Sequence, residues 1–181
     1  NRSNRVRRLE VTSYFELAMA PHRADLQHPA FNKLFIQTEA LPEQHALLAW
    51  RRARSHEEAP IYVGHRLISD QVAGDSPEAP LRYATDRRLF IGRGRTLADP
   101  MGALHEPANT HGYVLDPILS LRRHVALEPG ESTQISWLLA AGPSREHVVG
   151  LLEKYDDPHA ITRAMDYAWA AAQLELRLLR I

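Results

Sequence analysis

The feature that most constrains the fold of this sequence is a period-two alternation of apolar and polar side chains over residues 6–20. A period of two with one polar face is typical of an antiparallel strand buried on one side, whereas a helix would spread the polar residues around its axis. We therefore predict a half-buried strand that Pro21 ends. Its apolar side carries Leu9, Val11, Ser13, Phe15, Leu17 and Met19, and its polar side carries Arg8, Glu10, Thr12, Tyr14 and Glu16.

Further short strands are predicted along most of the chain. Clusters of turn-forming residues at 55–60, 70–80 and 128–131 separate them. Many short strands at this spacing favour a sandwich or a barrel over alternating βα units. We predict a mainly β fold, an antiparallel β-sandwich domain over 1–142. Its strands after the first are expected at 33–38, 46–52, 61–68, 81–84, 88–91, 112–115, 119–127 and 132–140.

The last forty residues change to a helical period. Ser144 is a favourable N-cap with Glu146 in the first turn, and Asp157-Pro158 places a cap before a proline at the first helical position. We predict two C-terminal α-helices, which form a helical linker segment over 143–181. The second helix stays amphipathic to the last residue, so we expect it either to pack over the sandwich or to lead to a further domain. Its apolar stripe is Ile161, Met165, Ala168, Trp169, Ala172, Leu176 and Leu179.

Charge and composition exclude several classes of protein. The chain carries 22 basic and 22 acidic residues, so it has no basic field that would attract nucleic acid. It contains no cysteine, which excludes disulfides and thiolate chemistry within this sequence and fits a reducing compartment. No apolar run approaches the roughly 20 residues that span a bilayer. We expect a soluble, cytoplasmic domain with no nucleic-acid partner.

Residues that could form a metal or nucleophilic site are scattered. None of the ten histidines is paired at the i, i+4 spacing of helical zinc sites, and the nearest group, His105, Glu106 and His111, shares only a loop. Ser120 and Ser136 lie inside predicted strands, and no Gly-x-Ser-x-Gly elbow surrounds them. We therefore predict no metal, no cofactor and no nucleophilic triad. Ser69-Asp70 and Ser76 lie in a loop without an adjacent histidine.

Three aspartates could resemble the paired carboxylates of glycoside chemistry. Asp86, Asp99 and Asp116 fall within one region of the sequence. Each also has a structural explanation, because Asp86 precedes a predicted strand and the other two each precede a proline at a turn. We favour the structural explanation and predict no catalytic residue in this chain.

The segment 21–33 is predicted as a loop that holds four candidate ligand-binding residues. Phe31 stands near His28, Asn32 and Lys33, and sugar subsites combine an aromatic ring face with amide and cationic donors. The alternative is a solvated loop that Phe31 anchors. From the residues alone both interpretations stay open.

Two further candidates, Arg93 and Arg95, lie in a glycine-spaced segment at 92–95. The spacing fits neither the dinucleotide fingerprint nor the P-loop, both of which also need a following helix. The glycines are expected to form a bulge or a tight turn that directs the two guanidiniums. These groups either face a ligand or pair with Asp86 and Asp99.

Several stretches in a fixed order carry a family resemblance. They are RLEVTSY at 8–14, HPAFNKLF at 28–35, TDRR at 85–88 with FIGRGR at 90–95, LDPI at 115–118 with SLR at 120–122, and PSRE at 143–146. The pattern resembles the β-sandwich region of the cellobiose phosphorylase family (glycoside hydrolase family 94), within it the cyclic β-1,2-glucan synthase branch. This resemblance implies part of a large supersandwich of galactose-mutarotase-like topology, with helices that lead to an (α/α)6 barrel.

The resemblance also implies a role for the chain. In the family the catalytic general acid is an aspartate of the barrel, so this chain would be a non-catalytic module cut from a longer enzyme. The segment 28–33 matches a loop that borders the sugar subsites. The expected partners are a β-1,2-glucan or related glucoside, the catalytic barrel of the same polypeptide and a second copy in a homodimer. The parent protein is expected in the bacterial inner membrane. A purely structural or dimerisation scaffold and a free-standing carbohydrate-binding module remain the alternatives.

Overall fold

The computed structural model describes residues 1–69 and 80–179. Asp70, Ser76 and the rest of the predicted loop before Pro80 therefore lie outside the described residues. The strands are β1 (Arg7–Thr12), β2 (Phe15–Glu16), β3 (Ile36–Leu41), β4 (Ala46–Arg51), β5 (Ile61–Ser69), β6 (Arg82–Asp86), β7 (Pro117–Leu127) and β8 (Ile135–Gly142). The α-helices are α1 (His22–Gln27), α2 (Pro29–Lys33), α3 (Arg87–Ile91), α4 (Arg145–Lys154) and α5 (Pro158–Leu178), with short 3₁₀ helices at Pro42–Gln44 and Met101–Ala103.

The strands form two antiparallel sheets, which confirms the predicted mainly β sandwich. In the first sheet β7 pairs with β1, β2 and β6, and the second sheet has the order β3-β4-β5-β8. The core between the sheets is apolar, as a half-buried antiparallel pattern requires. Its buried members are Leu17, Ile36, Leu47, Ala49, Leu67, Tyr83, Leu119 and Leu121.

The second sheet is buried on both faces, because α4 packs against the side away from the sandwich core. Leu47 of β4 belongs to the core between the sheets, whereas its neighbour Leu48 packs with Val148 and Leu152 of α4. A strand covered on both faces is apolar throughout, which explains the continuous run at 46–50. The close approach of α4 depends on Gly64, since a Cβ there would lie 2.6 Å from Val148 Cγ1.

The first predicted strand is interrupted. The structure divides 6–20 into β1 and β2, separated by Ser13 and Tyr14. Ser13 is buried at the break, and its hydroxyl oxygen accepts a 2.9 Å hydrogen bond from the Leu121 backbone N–H. After the break the predicted apolar side is buried, as at Leu17. Before the break it is not, since Leu9 on β1 is 44% exposed.

Three of the sequence assignments are wrong. Residues 88–91 belong to helix α3 and not to a strand, because the Asp86 carboxylate accepts hydrogen bonds from the Arg88 and Leu89 backbone N–H groups and caps a helix. Residues 112–115 form only an isolated bridge between Gly112 and Thr38. The loop predicted over 21–33 contains α1 and α2, so the following strand begins at Ile36 instead of 33.

The two C-terminal helices are confirmed. Ser144 caps α4 by accepting from the His147 backbone N–H, and Asp157 caps α5 by accepting from the His159 N–H. The apolar stripe of α5 does not pack back over the sandwich, since Met165 and Trp169 are each 69% exposed. None of the helices in the described part of the chain has both the length and the apolar character that crossing a bilayer requires.

Candidate functional site

The predicted residues at 28–33 lie on the short helix α2, where only some of them face solvent. His28 and Phe31 are exposed, with Phe31 at 47%. Asn32 is 2% exposed, and its amide donates to the Ala24 and His28 carbonyl oxygens at 2.7 and 3.1 Å. The Arg51 guanidinium donates to the Asn32 carbonyl oxygen at 2.9 Å. Asn32 therefore holds α1, α2 and β4 together, and its side chain is not available to a ligand.

Phe31 belongs to an exposed surface of rings and guanidiniums, which we call the aromatic–arginine surface: Phe31, Phe35, Arg52, Arg54 and Tyr113. The Phe31 and Phe35 rings meet edge to face with centroids 5.2 Å apart. The Arg54 guanidinium carbon lies 5.2 Å and 5.3 Å from these two centroids, and that of Arg52 lies 5.6 Å from the Tyr113 ring. Tyr113 is 77% exposed. Cation–π contact holds these guanidiniums over the rings.

Lys33 is bound into a charged network that links α2 to α3. Its ammonium lies 2.5 Å from Asp116 Oδ1, and the other carboxylate oxygen lies 3.5 Å from Arg87 Nη1. Arg87 Nε donates to Glu16 at 2.8 Å and to the Tyr14 hydroxyl oxygen at 3.1 Å. The prediction that Asp116 only marks a bend missed this role, since the carboxylate joins two cations from distant parts of the sequence.

The same network sets unusual protonation behaviour at Tyr14 and Glu16. Burial, together with the hydrogen bond to Glu16, raises the pKa of Tyr14 to about 12. Hydrogen bonds from Tyr14 and Arg87 lower the pKa of the Glu16 carboxyl below its ordinary value. Tyr14 therefore remains a neutral donor and Glu16 an anion across physiological pH, which keeps Arg87 in place.

Arg93 lies in a cleft of about 810 Å³ beside this network, which we call the arginine cleft. It is lined by Asp86, Arg87, Arg88, Leu89, Ile91, Gly92, Arg93, Met101, Leu115 and Asp116. Arg93 is exposed and forms no ion pair with any residue in the described ranges. Gly92 ends α3 with φ +85°, and a Cβ at this position would lie 2.8 Å from Met101 Cβ. A glycine is needed at this turn, as the glycine-spaced segment suggested.

Arg95 does not join the arginine cleft. Its guanidinium lies 3.0 Å from the Asp99 carboxylate. Of the two alternatives for these arginines, pairing with an aspartate applies to Arg95 and Asp99, whereas Asp86 caps α3. Of the six predicted site residues, Arg93 lines the arginine cleft, and Lys33 contacts the cleft residue Asp116. Phe31 lies on α2, and His28 directly precedes that helix.

The side chains of the loop group His105, Glu106 and His111 have different partners in the structure. His111 Nδ1 lies 2.8 Å from the Tyr83 hydroxyl, whereas Glu106 lies 3.7 Å from His124 Nε2. His124 also lies 3.2 Å from Glu10, so these three residues could in principle supply metal ligands. The Arg82 guanidinium, however, lies 2.5 Å from a His124 ring nitrogen. The Arg82 guanidinium therefore already balances the negative charge of the two glutamates, a role that a bound metal ion would otherwise have.

Sequence reasoning did not select four residues of the aromatic–arginine surface: Phe35, Arg52, Arg54 and Tyr113. Arg52 and Arg54 follow β4 directly, and the run Arg51-Arg52-Ala53-Arg54 after a buried strand was the available indication. Tyr113 is brought near Arg52 only through the long-range bridge between Gly112 and Thr38. No local pattern marks such a contact.

Comparison with known proteins adds two findings. The family model described as "Glycosyl hydrolase 94, supersandwich domain" matches residues 1–158. Cyclic beta-(1,2)-glucan synthase NdvB of Rhizobium meliloti (strain 1021) is 36% identical to the chain over 175 residues, which cover 93% of this chain. The chain spans only 6% of that relative's length. Both findings confirm the resemblance that the ordered sequence stretches indicated.

Proposed function

This chain belongs to the glycosyl hydrolase 94 supersandwich domain family, and from that membership we propose that it is a non-catalytic module that borders a glucan-binding site in a cyclic β-1,2-glucan synthase-like enzyme. The observation that carries the proposal is the arginine cleft. Arg87, Arg88 and Arg93 line it together with the Asp116 carboxylate and apolar side chains.

The chemistry of the cleft suits a sugar. Glucose units present several hydroxyls, each of which both donates and accepts, beside weakly polar ring faces. Guanidiniums donate to such oxygens in fixed directions, and a carboxylate accepts from adjacent hydroxyls. Leu115, which is 72% exposed, offers apolar surface beside them. The mixed charge of the cleft gives no preference for a polyanion, because Asp86 and Asp116 line it together with the three arginines.

The aromatic–arginine surface extends the proposed site beyond one sugar unit. Lys33 on α2 reaches the cleft through Asp116, and Phe31 lies two residues earlier on the same helix. Exposed rings such as Phe31 and Tyr113 can stack against sugar faces. A glucan chain leaving the cleft along α2 would meet these rings.

The carboxylates of the described residues support a non-catalytic role. Asp86 accepts two backbone hydrogen bonds, Asp99 pairs with Arg95, and Asp116 pairs with Lys33 and Arg87. Glycoside hydrolysis needs one carboxylic acid with a raised pKa, which burial or a neighbouring anion provides. These three carboxylates instead contact cations or backbone donors. The general acid of the parent enzyme would then come from its barrel.

The second candidate function is a structural scaffold, and the exposed face of α5 favours it. Met165 and Trp169 are each 69% exposed on this 21-residue helix, and Leu179, directly after its last residue, is 68% exposed. Exposed apolar area of this kind is common at contact surfaces. We propose that 1–142 forms the sandwich and that 143–181 contacts the catalytic barrel of the same polypeptide or a second copy. Parent location in a bacterial inner membrane remains part of this proposal.

Calorimetric titration with linear β-1,2-gluco-oligosaccharides separates the two functions. The glucan-bordering role predicts binding that weakens about tenfold in Arg93→Ala, because one charge-assisted donor is lost. Arg163→Ala, which removes an exposed arginine from α5, is the matched control and should bind as the parent chain does. Absence of binding at millimolar sugar, together with a dimer that forms as concentration rises, would support the scaffold instead.

A further inference from the structure

A second cavity, of about 260 Å³, lies on the face of the first sheet opposite the sandwich core. Ser120 and Arg122 of β7 form its floor with Thr12 of β1 and Ala84 of β6, which are their register partners. These positions alternate along β7 with the core residues Leu119 and Leu121. Helix α3 and the segment 101–110 cover this face and supply the opposite wall. The cavity is thus built by long-range packing and is separate from the aromatic–arginine surface.

Apolar side chains form most of the cavity wall. They are Leu89, Phe90, Met101, Pro107 and Ala108. Phe90 is 7% exposed, and its ring packs against the backbone of Gly102, where a Cβ would lie 2.7 Å from Phe90 Cδ2. The wall is therefore held in position from behind and does not collapse onto the floor.

The floor carries two buried groups with unused donors. Ser120 is 2% exposed and lines the cavity, and its hydroxyl has no hydrogen-bond partner within residues 1–69 and 80–179. Arg122 is 7% exposed; its Nε donates to Thr12 Oγ1 at 3.3 Å, and its Nη1 donates to the His105 carbonyl oxygen at 2.8 Å. Glu10 lies 3.3 Å from the same Nη1. Nη2 has no hydrogen-bond partner in the described part of the chain and, unlike a fully buried atom, remains accessible from the cavity.

The carboxylates at the rim are already engaged. Asp86 Oδ1 accepts from the Arg88 and Leu89 backbone N–H groups. Glu106, which also lines the cavity, lies 3.8 Å from Arg82 and 3.7 Å from His124. The floor donors without a partner in the described ranges are the Ser120 hydroxyl and Arg122 Nη2, and both lie beneath an apolar enclosure.

We propose that this cavity binds a small organic carboxylate with an apolar body, such as a single ring or a short chain. A carboxylate only accepts hydrogen bonds, so it can accept from the Ser120 hydroxyl and from Arg122 Nη2, whose charge strengthens the bond. The volume lies slightly below that of drug-sized ligand sites, which limits the body to about one ring. A glucose unit fits less well, because apolar walls would leave several of its hydroxyls without partners. This site does not depend on glucan binding elsewhere.

The test is calorimetric and NMR titration of the full chain with benzoate, with benzyl alcohol and methyl β-glucoside as comparison ligands. We expect benzoate to bind at least tenfold more tightly than benzyl alcohol, which has the same ring without the charge. Amide shifts should concentrate at Phe90, Met101 and Ser120. Ser120→Ala should weaken benzoate binding about tenfold without loss of fold, since its hydroxyl forms no internal bond. Ser136→Ala, a strand serine of the second sheet, is the matched control.

Ala84→Leu provides an independent check, because the added side chain fills the cavity while both floor donors are kept. Benzoate binding should then disappear while the chain stays folded. Three results would overturn the proposal. They are no binding at millimolar benzoate, benzoate binding that Ala84→Leu leaves unchanged, and binding of the glucoside in the cavity in preference to benzoate.

Discussion

The Ser13 hydroxyl lies 2.8 Å from Nε2 of His65, and this buried contact joins the two sheets of the sandwich. Ser13 lies between β1 and β2 of the first sheet, and His65 lies on β5 of the second. His65 Nδ1 lies 3.1 Å from the Leu138 carbonyl oxygen, so Nδ1 carries the proton and Nε2 accepts from Ser13. The His65 ring also packs against Phe15 and Trp137. The interruption of the first strand therefore has a structural role.

Removal of this hydroxyl should destabilise the sandwich. Ser13→Ala leaves His65 Nε2 and the Leu121 backbone N–H without the partner they have in the native chain. Unsatisfied buried polar groups cost about 1–3 kcal/mol. We expect a decrease of that size in the free energy of unfolding, measured by urea denaturation. Ser132→Ala, at an exposed position, should leave it unchanged, and an equally stable Ser13→Ala would contradict the role assigned to the pair.

Acid should weaken the fold through His65. Burial lowers the pKa of His65 to about 4, from 6.5 for an ordinary histidine. Because the unfolded chain binds the proton more tightly, stability is complete above pH 6.5 and is lost as the pH falls through 6.5 toward 4. The loss at pH 4 is about 3 kcal/mol. Urea unfolding between pH 7 and pH 4 measures this loss, and His65→Gln should flatten the pH dependence whatever its effect on stability at pH 7.

Tyr14 should ionise far later than an exposed tyrosine. Its pKa is raised to about 12 by burial and by the hydrogen bond to Glu16. In Glu16→Gln the anionic partner is gone, so we expect the pKa of Tyr14 to fall toward the ordinary value of 10. Ultraviolet titration difference spectra against Tyr14→Phe isolate this one group. An unchanged midpoint in Glu16→Gln would mean that Glu16 does not control Tyr14.

Helix α4 depends on the absence of a side chain at Gly64. In Gly64→Ala the new Cβ would lie 2.6 Å from Val148 Cγ1 and 2.8 Å from Leu152 Cδ1, so the helix must move away from β5. Overpacking of this kind costs about 1–3 kcal/mol. Gly150→Ala is the matched control, since no atom lies within 4 Å of a Cβ there. That control should gain about 0.5–1 kcal/mol from helix propensity. Thermal unfolding of both variants checks the opposite signs.

Local chemistry explains which parts of the fold could be predicted. Ser144 and Asp157 act through backbone groups two or three residues away, so their caps and both C-terminal helices follow from short sequence patterns. The continuous apolar segment of β4 was also recognised as a strand. Residues 88–91 were misassigned because a run of only four residues, three of them apolar, fits a strand and a single helical turn equally well. In the structure the Asp86 cap decides for the helix, whereas the sequence prediction gave more weight to the strand propensity of Phe90 and Ile91.

The candidate site was less predictable because its contacts are long-range. Phe31 and Arg93, both selected from the sequence, are exposed, and their role in ligand binding stays a prediction. Asn32 was misjudged, since its burial depends on Arg51 reaching it from β4. The contact between Lys33 and Asp116 joins residues 83 positions apart, and no spacing rule indicates such a pair.

The most direct test of the central proposal is two-dimensional NMR of the isotope-labelled chain during titration with linear β-1,2-gluco-oligosaccharides. The account predicts amide shifts that concentrate in the arginine cleft and on α2, around Arg87, Arg93, Asp116 and Phe31, with the largest loss of response in Arg93→Ala. Spectra that do not change at millimolar sugar, or shifts that fall elsewhere on the chain, would contradict the proposal that this module borders a glucan site.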